Sequence, residues 1–116
     1  MNNAEPAAQI PVETFFACDL RVGTVIACEP NAKARKPAYK LTLDFGPLGR
    51  KTSSAQITAR YRPEELVGKQ VVAVVNFAPR KVADVLSECL VLAVDGPGGL
   101  VTLGVDHAVE NGVRVY

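Results

Sequence analysis

Apolar and polar side chains alternate strictly over residues 39–45, and this alternation is the clearest strand signal in the chain. One face of the predicted strand carries the apolar side chains of Tyr39, Leu41, Leu43 and Phe45. The sequence GPLG at residues 46–49 is typical of a tight turn, and the more polar residues 50–55 return as a second strand. The pattern therefore predicts a β-hairpin over residues 39–55.

Other parts of the chain also show a β pattern. Three segments are rich in β-branched and other apolar residues, which is typical of strands: residues 20–28, 69–76 and 87–94. Gly23 lies in the middle of the first segment, where we expect a bulge or a sharp bend. Residues 100–105 and 113–116 add two short strand-like pieces.

Two segments break the β pattern and favour short helices. Residues 63–66 (PEEL) start with proline and acids and are followed by Gly68, which are start and stop signals of a helical turn. Residues 13–19 are compatible with one or two helical turns, with Phe15 and Phe16 packing against one end of the fold.

The predicted order of elements is strand, β-hairpin, short helix, strand, strand. This is the order of the OB fold, an all-β, five-stranded and partly open barrel. The pattern alone leaves an SH3-like barrel and a small β-sandwich open. The 116 residues fit one domain. We place it at residues 13–116, after a flexible N-terminal tail at residues 1–12 that has no features of a signal peptide.

Charge is strongly polarised along the chain, although the net charge is only +1. Residues 31–81 contain eleven Lys and Arg but three Asp and Glu, a net charge of +8, and the remainder carries −7. A fold that gathers these bases on one side would present an electropositive surface to a polyanion. From charge alone, a solvated surface without a ligand is the alternative.

The sequence lacks motifs for catalysis or metal binding. His107 is its only histidine, and it shares no motif with a serine or cysteine nucleophile. The sequence also contains no phosphate loop, no G-x-S-x-G turn and no zinc-ligand spacing. We therefore expect a protein that is not an enzyme and that needs no metal or cofactor.

The cysteines indicate a reducing compartment. Cys18, Cys28 and Cys89 are odd in number and form no C-x-x-C pair, so we interpret them as small buried apolar side chains. No apolar run approaches the roughly 18 residues that a membrane-spanning helix needs. We expect a cytoplasmic protein without membrane insertion.

Four segments, in the right order and spacing, are similar to the motifs of a known family. They are residues 19–23 (DLRVG), 61–69 (YRPEELVGK), 76–81 (NFAPRK) and 87–92 (SECLVL). The chain resembles the tRNA-binding OB-domain family, which includes the C-terminal domain of bacterial methionyl-tRNA synthetases and endothelial-monocyte-activating polypeptide II. The resemblance covers about residues 14–115.

Two further stretches, residues 37–41 (PAYKL) and 53–58 (SSAQIT), are similar to the CsaA-type members of this family, which are stand-alone, export-related chaperones. The resemblance implies an OB fold and a homodimer whose C-terminal extension helps to build the interface. It also implies two ligands, namely tRNA and unfolded precursor proteins before export.

Two basic segments carry the predicted RNA-binding cations. Arg80 and Lys81 precede the last barrel strand, and we expect them to contact phosphates, which arginine can do in a bidentate fashion. Lys33, Arg35 and Lys36 form a second basic loop after the first strand. In the OB topology the two loops can approach the same side of the barrel. For any single lysine, a solvated charge is the alternative.

Polar side chains near these loops are the predicted readers of base edges or of the ribose 2′-hydroxyl. They are Ser54, Gln56, Asn76, Ser87 and Glu88. Asn76 can instead cap the next loop, and Glu88 can instead hold Arg80 in position, which is the role we favour. Phe77 and Tyr61 either stack with bases or complete the core.

Two functions follow from these features: a sequence-tolerant tRNA-binding module, and a chaperone that binds extended peptides. A third is an accessory subunit that delivers tRNA to an enzyme. Apolar side chains beyond the predicted barrel indicate a further partner surface and hence a homodimer. They are Leu100, Val101, Leu103, Val105, Val109, Val113 and Val115.

Overall fold

The structure, a computed structural model, describes residues 4–116 and consists mainly of short strands. In chain order the elements are α1 (Val12–Ala17), β1 (Leu20–Pro30), β2 (Tyr39–Asp44), a 3₁₀ helix (Gly46–Leu48), β3 (Arg50–Ala55), α2 (Pro63–Leu66), β4 (Gln70–Val74), β5 (Arg80–Val82), β6 (Val85–Ser87), β7 (Leu90–Val91), β8 (Ala93–Gly96) and β9 (Gly99–Thr102).

Five strands pair antiparallel in the order β3-β2-β1-β4-β7 and form the wall of a barrel. The barrel closes where β3 meets the chain just before β7. There the Glu88 N–H donates to Thr52 O (2.8 Å) and the Ser53 Oγ donates to Cys89 O (2.9 Å). With α2 between the third and fourth barrel strands, this is the predicted OB fold.

The barrel interior is filled by the alternating side chains of the predicted hairpin. Every second residue of β2 is buried, and Leu41, Leu43 and Phe45 are almost fully enclosed. Leu66 of α2 belongs to the same apolar cluster. Burying a side chain of this size stabilises the fold by roughly 1.5–3 kcal/mol, so this cluster contributes strongly to the stability of the barrel.

The bulge of β1 does not fall at Gly23, so the predicted bulge there is wrong, and the alternative of a sharp bend stays a prediction. The irregularity in the pairing of β1 with β2 falls between Val25 and Ala27. A Cβ atom at Gly23 would lie 2.6 Å from the ring of Phe45. The glycine is needed because the buried aromatic ring approaches the backbone closely at this point.

The predicted strand over residues 87–94 is interrupted, because the backbone changes partners along it. Glu88 bonds to β3, whereas the Leu92 N–H donates to Val72 O in β4 (2.9 Å). β7 is consequently two residues long, and β8 begins only at Ala93. The pattern predicts a basic loop at residues 78–86, but residues 80–87 form the β5–β6 hairpin.

The C-terminal extension, residues 92–116, packs on the outside of the barrel wall. The Val115 N–H donates to Leu20 O (2.9 Å), and the Gly112 N–H donates to Val22 O (2.7 Å). Val115 and Leu92 thereby cover a second apolar cluster on β1 and β4, formed by Leu20, Val22, Val72 and Val74. The extension is therefore an integral part of the fold.

Of the apolar residues predicted to need a partner surface, some pack against other parts of the chain and others stay exposed. Leu100 packs against the barrel core, and Val115 packs against the outer cluster. Four others are 37–40% exposed: Leu103, Val105, Val109 and Val113. The two predicted C-terminal strands reduce to β9 and to a single bridge between Arg21 and Arg114.

Helix α1 forms close to its predicted position, but its aromatic side chains are not enclosed as expected. Phe15 and Phe16 are 37% and 41% exposed, and their rings meet edge to face with centroids 5.1 Å apart.

Residues 4–11 precede α1 on the surface. Residues 1–3 of the predicted tail lie outside the described residues, and the flexibility of the tail stays a prediction. No helix between residues 4 and 116 is long and apolar enough to cross a membrane.

Candidate nucleic-acid interface

Two basic segments flank one side of the barrel. The basic loop is residues 31–38, between β1 and β2, and the basic hairpin is residues 80–87, formed by β5 and β6. A cavity of about 850 Å³, the basic cavity, lies between them. Its polar lining is contributed by Lys33, Arg35, Lys36, Gln56 and Arg80. The structure therefore brings four of the five predicted cations around one cavity.

The buried side chain of Asn31 fixes the basic loop in place. Its Nδ2 donates to Ser54 Oγ in β3 and to Val82 O in the basic hairpin, both at 3.2 Å. Its backbone N–H also closes the loop by donating to Ala38 O (2.9 Å). Sequence reasoning missed Asn31, because an asparagine after Pro30 signals only a turn.

An ion pair joins the tips of the two basic segments. Lys33 Nζ lies 2.9 Å from Asp84 Oδ2, and both side chains are exposed. Exposed pairs of this kind contribute roughly 0–1 kcal/mol to stability. Its larger effect is electrostatic, because Asp84 partly neutralises one of the four cations. In the described part of the chain Arg35, Lys36 and Arg80 form no ion pair, so their charges stay uncompensated.

Lys81 lies on the other face of the basic hairpin. Successive side chains of a strand point to opposite faces, so Arg80 and Val82 share the face that lines the basic cavity. Lys81 pairs across the hairpin with Leu86 and does not line the basic cavity. The predicted pair of phosphate contacts is thereby divided between two faces.

A second cavity, of about 580 Å³, adjoins the basic cavity and is called here the apolar cavity. Its polar lining is contributed by Ser54, Gln56, Arg80, Ser87 and Glu88. Apolar side chains supply the rest, including Ile57, Phe77, Leu90 and Leu100. Four of the five predicted polar readers therefore surround one space, together with Arg80.

Two of these readers also hold the barrel seam. Ser87 Oγ accepts from the Ser54 N–H (3.1 Å). Glu88 Oε1 accepts from the Thr52 N–H (3.0 Å) and lies 3.1 Å from Thr52 Oγ1. The favoured role of Glu88, holding Arg80, is thus not what the structure shows, because its carboxylate is bonded to β3 instead.

Asn76 is the one predicted reader that lies away from both cavities. Its Oδ1 accepts from the Asp19 N–H (2.9 Å), and its Nδ2 donates to Ala17 O (2.8 Å). Both ends of the amide therefore bind the turn between α1 and β1. Asn76 thus bonds to the protein backbone, as in the alternative prediction of a capping role, although it caps the turn before β1 and not the loop that follows it.

The two aromatic candidates have different environments. Tyr61 is buried, and its hydroxyl accepts from the Thr102 N–H (3.2 Å), so it completes the core and anchors β9. Burial on its own raises the pKa of Tyr61, but the hydrogen bonds with Thr102 and the nearby Lys69 outweigh it and lower the pKa. Phe77, in contrast, is 50% exposed at the apolar cavity.

The three cysteines are free, and burial raises the pKa of two of them, Cys89 and Cys28. Cys89 is buried beside the apolar cavity, and burial raises its pKa to about 11. Burial, together with the charge of Glu29, likewise raises the pKa of Cys28 to about 11. A thiol with so high a pKa is almost entirely protonated at neutral pH and is a poor nucleophile.

A five-stranded antiparallel barrel flanked by a basic loop and a basic hairpin has the architecture of the OB-fold domains that bind oligonucleotides. These domains use one barrel face and the loops that correspond in position to the two basic segments. Residues 20–114 match the family model described as "Putative tRNA binding domain". The chain belongs to this tRNA-binding domain family.

Methionine–tRNA ligases contain a region similar to this chain. The chain is 43% identical over 115 residues to the ligase of Rhodopirellula baltica and 37% identical over 116 residues to that of Stenotrophomonas maltophilia. These matches cover 97% and 98% of this chain but only 17% of each ligase. The chain thus spans a small part of the ligases that it resembles.

Solved structures of small proteins share the fold over their full length. The chaperone CsaA of Bacillus anthracis strain Ames is 49% identical with a TM-score of 0.87. The CsaA chaperone protein of Picrophilus torridus is 40% identical with a TM-score of 0.88, and a MetRS-related protein of Pyrococcus horikoshii is 30% identical with a TM-score of 0.84. The matches cover 93–95% of this chain and 100% of each of those chains.

Proposed function

We propose that this chain binds tRNA without catalysis, and that the basic cavity is where the phosphates lie. The observation that carries the proposal is the convergence of Lys33, Arg35, Lys36 and Arg80, from two distant segments, on one cavity. Three of these cations are not paired with a carboxylate in the described chain, so a phosphate chain is a complementary ligand. Membership of the tRNA-binding domain family supports tRNA as the polyanion.

Filter binding of bulk tRNA at two salt concentrations tests this proposal. Arg80→Gln is expected to weaken binding about 10-fold or more at low salt, because a charge-assisted hydrogen bond contributes roughly 1.5–3 kcal/mol. It should also reduce the slope of log K against log salt by about 0.7–0.9 for each phosphate that is no longer neutralised.

Arg50→Gln is the matched control for this experiment. Arg50 is an exposed arginine opposite Asp44, at the end of the β2–β3 hairpin farthest from the basic loop. Its replacement should change neither the affinity nor the salt slope by a comparable amount. Absence of tRNA retention by the unmodified protein, even at low salt, would refute the proposal.

A second function is supported by the apolar cavity. Its lining combines apolar side chains with Arg80, which suits an extended peptide that carries apolar and acidic residues. Two structural relatives are named chaperones. We therefore propose, as the alternative, binding of unfolded precursor proteins, which would connect the chain to protein export. Suppression of the aggregation of a denatured protein at equimolar concentration, and competition between peptide and tRNA, are the tests.

We also propose that the chain works as a homodimer in the cytoplasm. The apolar side chains left exposed on α1 and on the C-terminal extension support a partner surface. The free cysteines are compatible with a reducing compartment, where tRNA and precursor proteins are both found. Sedimentation at micromolar concentration tests the dimer, and a stable monomer would contradict it.

A further inference from the structure

The basic cavity and the apolar cavity are two halves of one cleft, because they share part of their lining. Gln56, Arg80 and Val82 line both cavities. Arg80 therefore stands between a space surrounded by cations and a space surrounded mainly by apolar side chains. A ligand with a negative group in the basic cavity has an apolar space directly beside it.

The apolar cavity has the size and the surface for a flat organic group. Its volume of about 580 Å³ falls within the range of roughly 300–1,000 Å³ that is usual for small-molecule sites. Phe77 is the aromatic residue in its lining, and half of its surface is exposed. An exposed phenyl ring at a cavity wall is the kind of platform on which nucleobases stack.

Polar groups in the cleft fit the edge of a nucleobase. Gln56 is exposed, and its side-chain amide has no hydrogen-bond partner within residues 4–116, so both its donor and its acceptor are free. Ser87 Oγ lies in the same lining; it accepts from the Ser54 N–H (3.1 Å) and donates to Cys89 O (3.4 Å), which leaves one lone pair as an acceptor. A side-chain amide can pair with adjacent donor and acceptor atoms of a base.

We propose that this cleft holds an unpaired nucleotide, with its base stacked on Phe77 in the apolar cavity and its phosphate in the basic cavity. Arg80 then contacts the phosphate, and Gln56 faces the base edge. This inference rests on the proposed RNA-binding function and names its substrate class: a single-stranded end or loop, whose bases are free to leave the stack. A base-paired stem could supply the phosphate contacts but not the base.

The experiment compares two fluorescent single-stranded RNAs by anisotropy, using the full chain. One is an oligonucleotide of about eight nucleotides, within the site size of OB folds, and the other is the same sugar–phosphate chain without bases. Because both carry the same phosphates, they separate base binding from charge. The base-containing RNA should bind roughly 5- to 150-fold more tightly, which is the range expected for stacking of one base on an aromatic ring.

Variants then assign the difference to Phe77. Phe77→Ala should remove most of the preference for the base-containing RNA, whereas Phe77→Tyr, which keeps a stacking surface, should retain it. Leu86→Ala is the matched control, since Leu86 is equally exposed (49%) on the basic hairpin but lies outside the apolar cavity. Phe77 is half exposed, so its truncation should leave the fold intact, which thermal unfolding can check.

Three results would overturn the inference. Equal affinity for the two RNAs would mean that only phosphates are bound, and the proposed RNA-binding function would survive. A Phe77→Ala variant that loses an apolar peptide but keeps its preference between the RNAs would assign the cavity to a protein ligand. Failure of bulk tRNA to bind at low salt would remove the proposed function itself, and the inference with it.

Discussion

The side-chain amide of Asn31 donates to two acceptors on different elements, Ser54 Oγ in β3 and Val82 O in the basic hairpin. It thereby fixes the distance between the two basic segments, although it carries no charge. The types of the cations around the cavity could be read from the sequence, but their spacing could not. That spacing depends on hydrogen bonds between residues 23 and 51 positions apart in the chain.

Replacement of Asn31 by alanine is expected to affect stability and binding together. Loss of these two partly buried hydrogen bonds should lower the free energy of unfolding by about 1–3 kcal/mol. Because the basic loop is no longer held in place, tRNA binding should weaken several-fold. Filter binding measures the affinity, and urea unfolding measures the stability. Asn76→Ala is the matched control, because it also loses two amide bonds but lies away from the cavities, so it should destabilise without weakening binding. Unchanged tRNA affinity in Asn31→Ala would contradict the positioning role.

Gly23→Ala is expected to destabilise the barrel. The new methyl group would lie 2.6 Å from the ring of Phe45, which is fully buried and has little freedom to move. Overpacking of this kind costs typically 1–3 kcal/mol, whereas Gly→Ala without a clash usually stabilises slightly. Urea unfolding of Gly23→Ala, of Phe45→Leu and of the double variant Gly23→Ala/Phe45→Leu tests whether the clash causes the loss of stability. Recovery of stability in the double variant is expected, and purely additive losses would refute the clash.

The buried thiol of Cys89 should make stability fall at alkaline pH. Burial raises its pKa to about 11, above the value of roughly 8.5 in an unfolded chain. The thiol therefore stays protonated to a higher pH in the folded state than in the unfolded chain. Its contribution to the free energy of unfolding is complete below about pH 8.5 and is lost as pH rises towards 11. Urea unfolding between pH 7 and 10 should show a steeper fall for the natural chain than for Cys89→Ala. Parallel curves would rule out this contribution.

The elements differ in how far their sequence determines them. Strand β2 followed directly from alternation, because every second residue along it is buried. The last barrel strand did not, since its residues change partners from β3 to β4 within a few positions. A change of partner leaves no periodic signal in the chain itself, so residues 87–94 looked like one continuous strand.

At the same scale, Asp84 in the turn of the basic hairpin is expected to restrain RNA binding. Asp84→Asn removes the carboxylate that pairs with Lys33, so the lysine becomes free to neutralise a phosphate. Binding of tRNA should tighten, and the salt slope should increase by about 0.7–0.9. Stability should change by less than about 1 kcal/mol, because the pair is exposed.

Asp95→Asn provides the control for net charge, because Asp95 is an exposed acid on the separate β8–β9 hairpin. It should alter tRNA binding much less than Asp84→Asn does. Equal effects of the two variants would mean that only the overall charge matters and that the Lys33–Asp84 pair has no specific role.

At the scale of the whole molecule, the basic segment of the sequence is only partly gathered by the fold. Four of its eleven cations line the basic cavity, whereas Arg50 and Lys51 lie towards the other end of the β2–β3 hairpin. Arg62 pairs with the acids of α2. A net charge of +8 in the sequence thus overstates the charge near any one ligand, which is why charge alone could not define the site.

Helix α1 and the end of the C-terminal extension lie next to each other, and both carry exposed apolar side chains. Arg114 Nη2 donates to Phe16 O (2.7 Å), which places α1 beside the last residues of the chain. Phe15, Phe16 and Val113 are each more than one third exposed there. Exposed apolar side chains on adjacent segments favour a subunit interface, and closed two-fold pairing is the commonest arrangement.

Val113→Asp is therefore expected to separate the proposed homodimer into monomers. A charge in the middle of an apolar interface loses its hydration without gaining a partner, so the dissociation constant should rise at least about 10-fold. Sedimentation at micromolar concentration should show a dimer for the natural chain and a monomer for the variant. Val67→Asp is the control, since Val67 is also well exposed but follows α2. If both variants stay dimeric, this surface is not the interface, and the two copies must meet elsewhere.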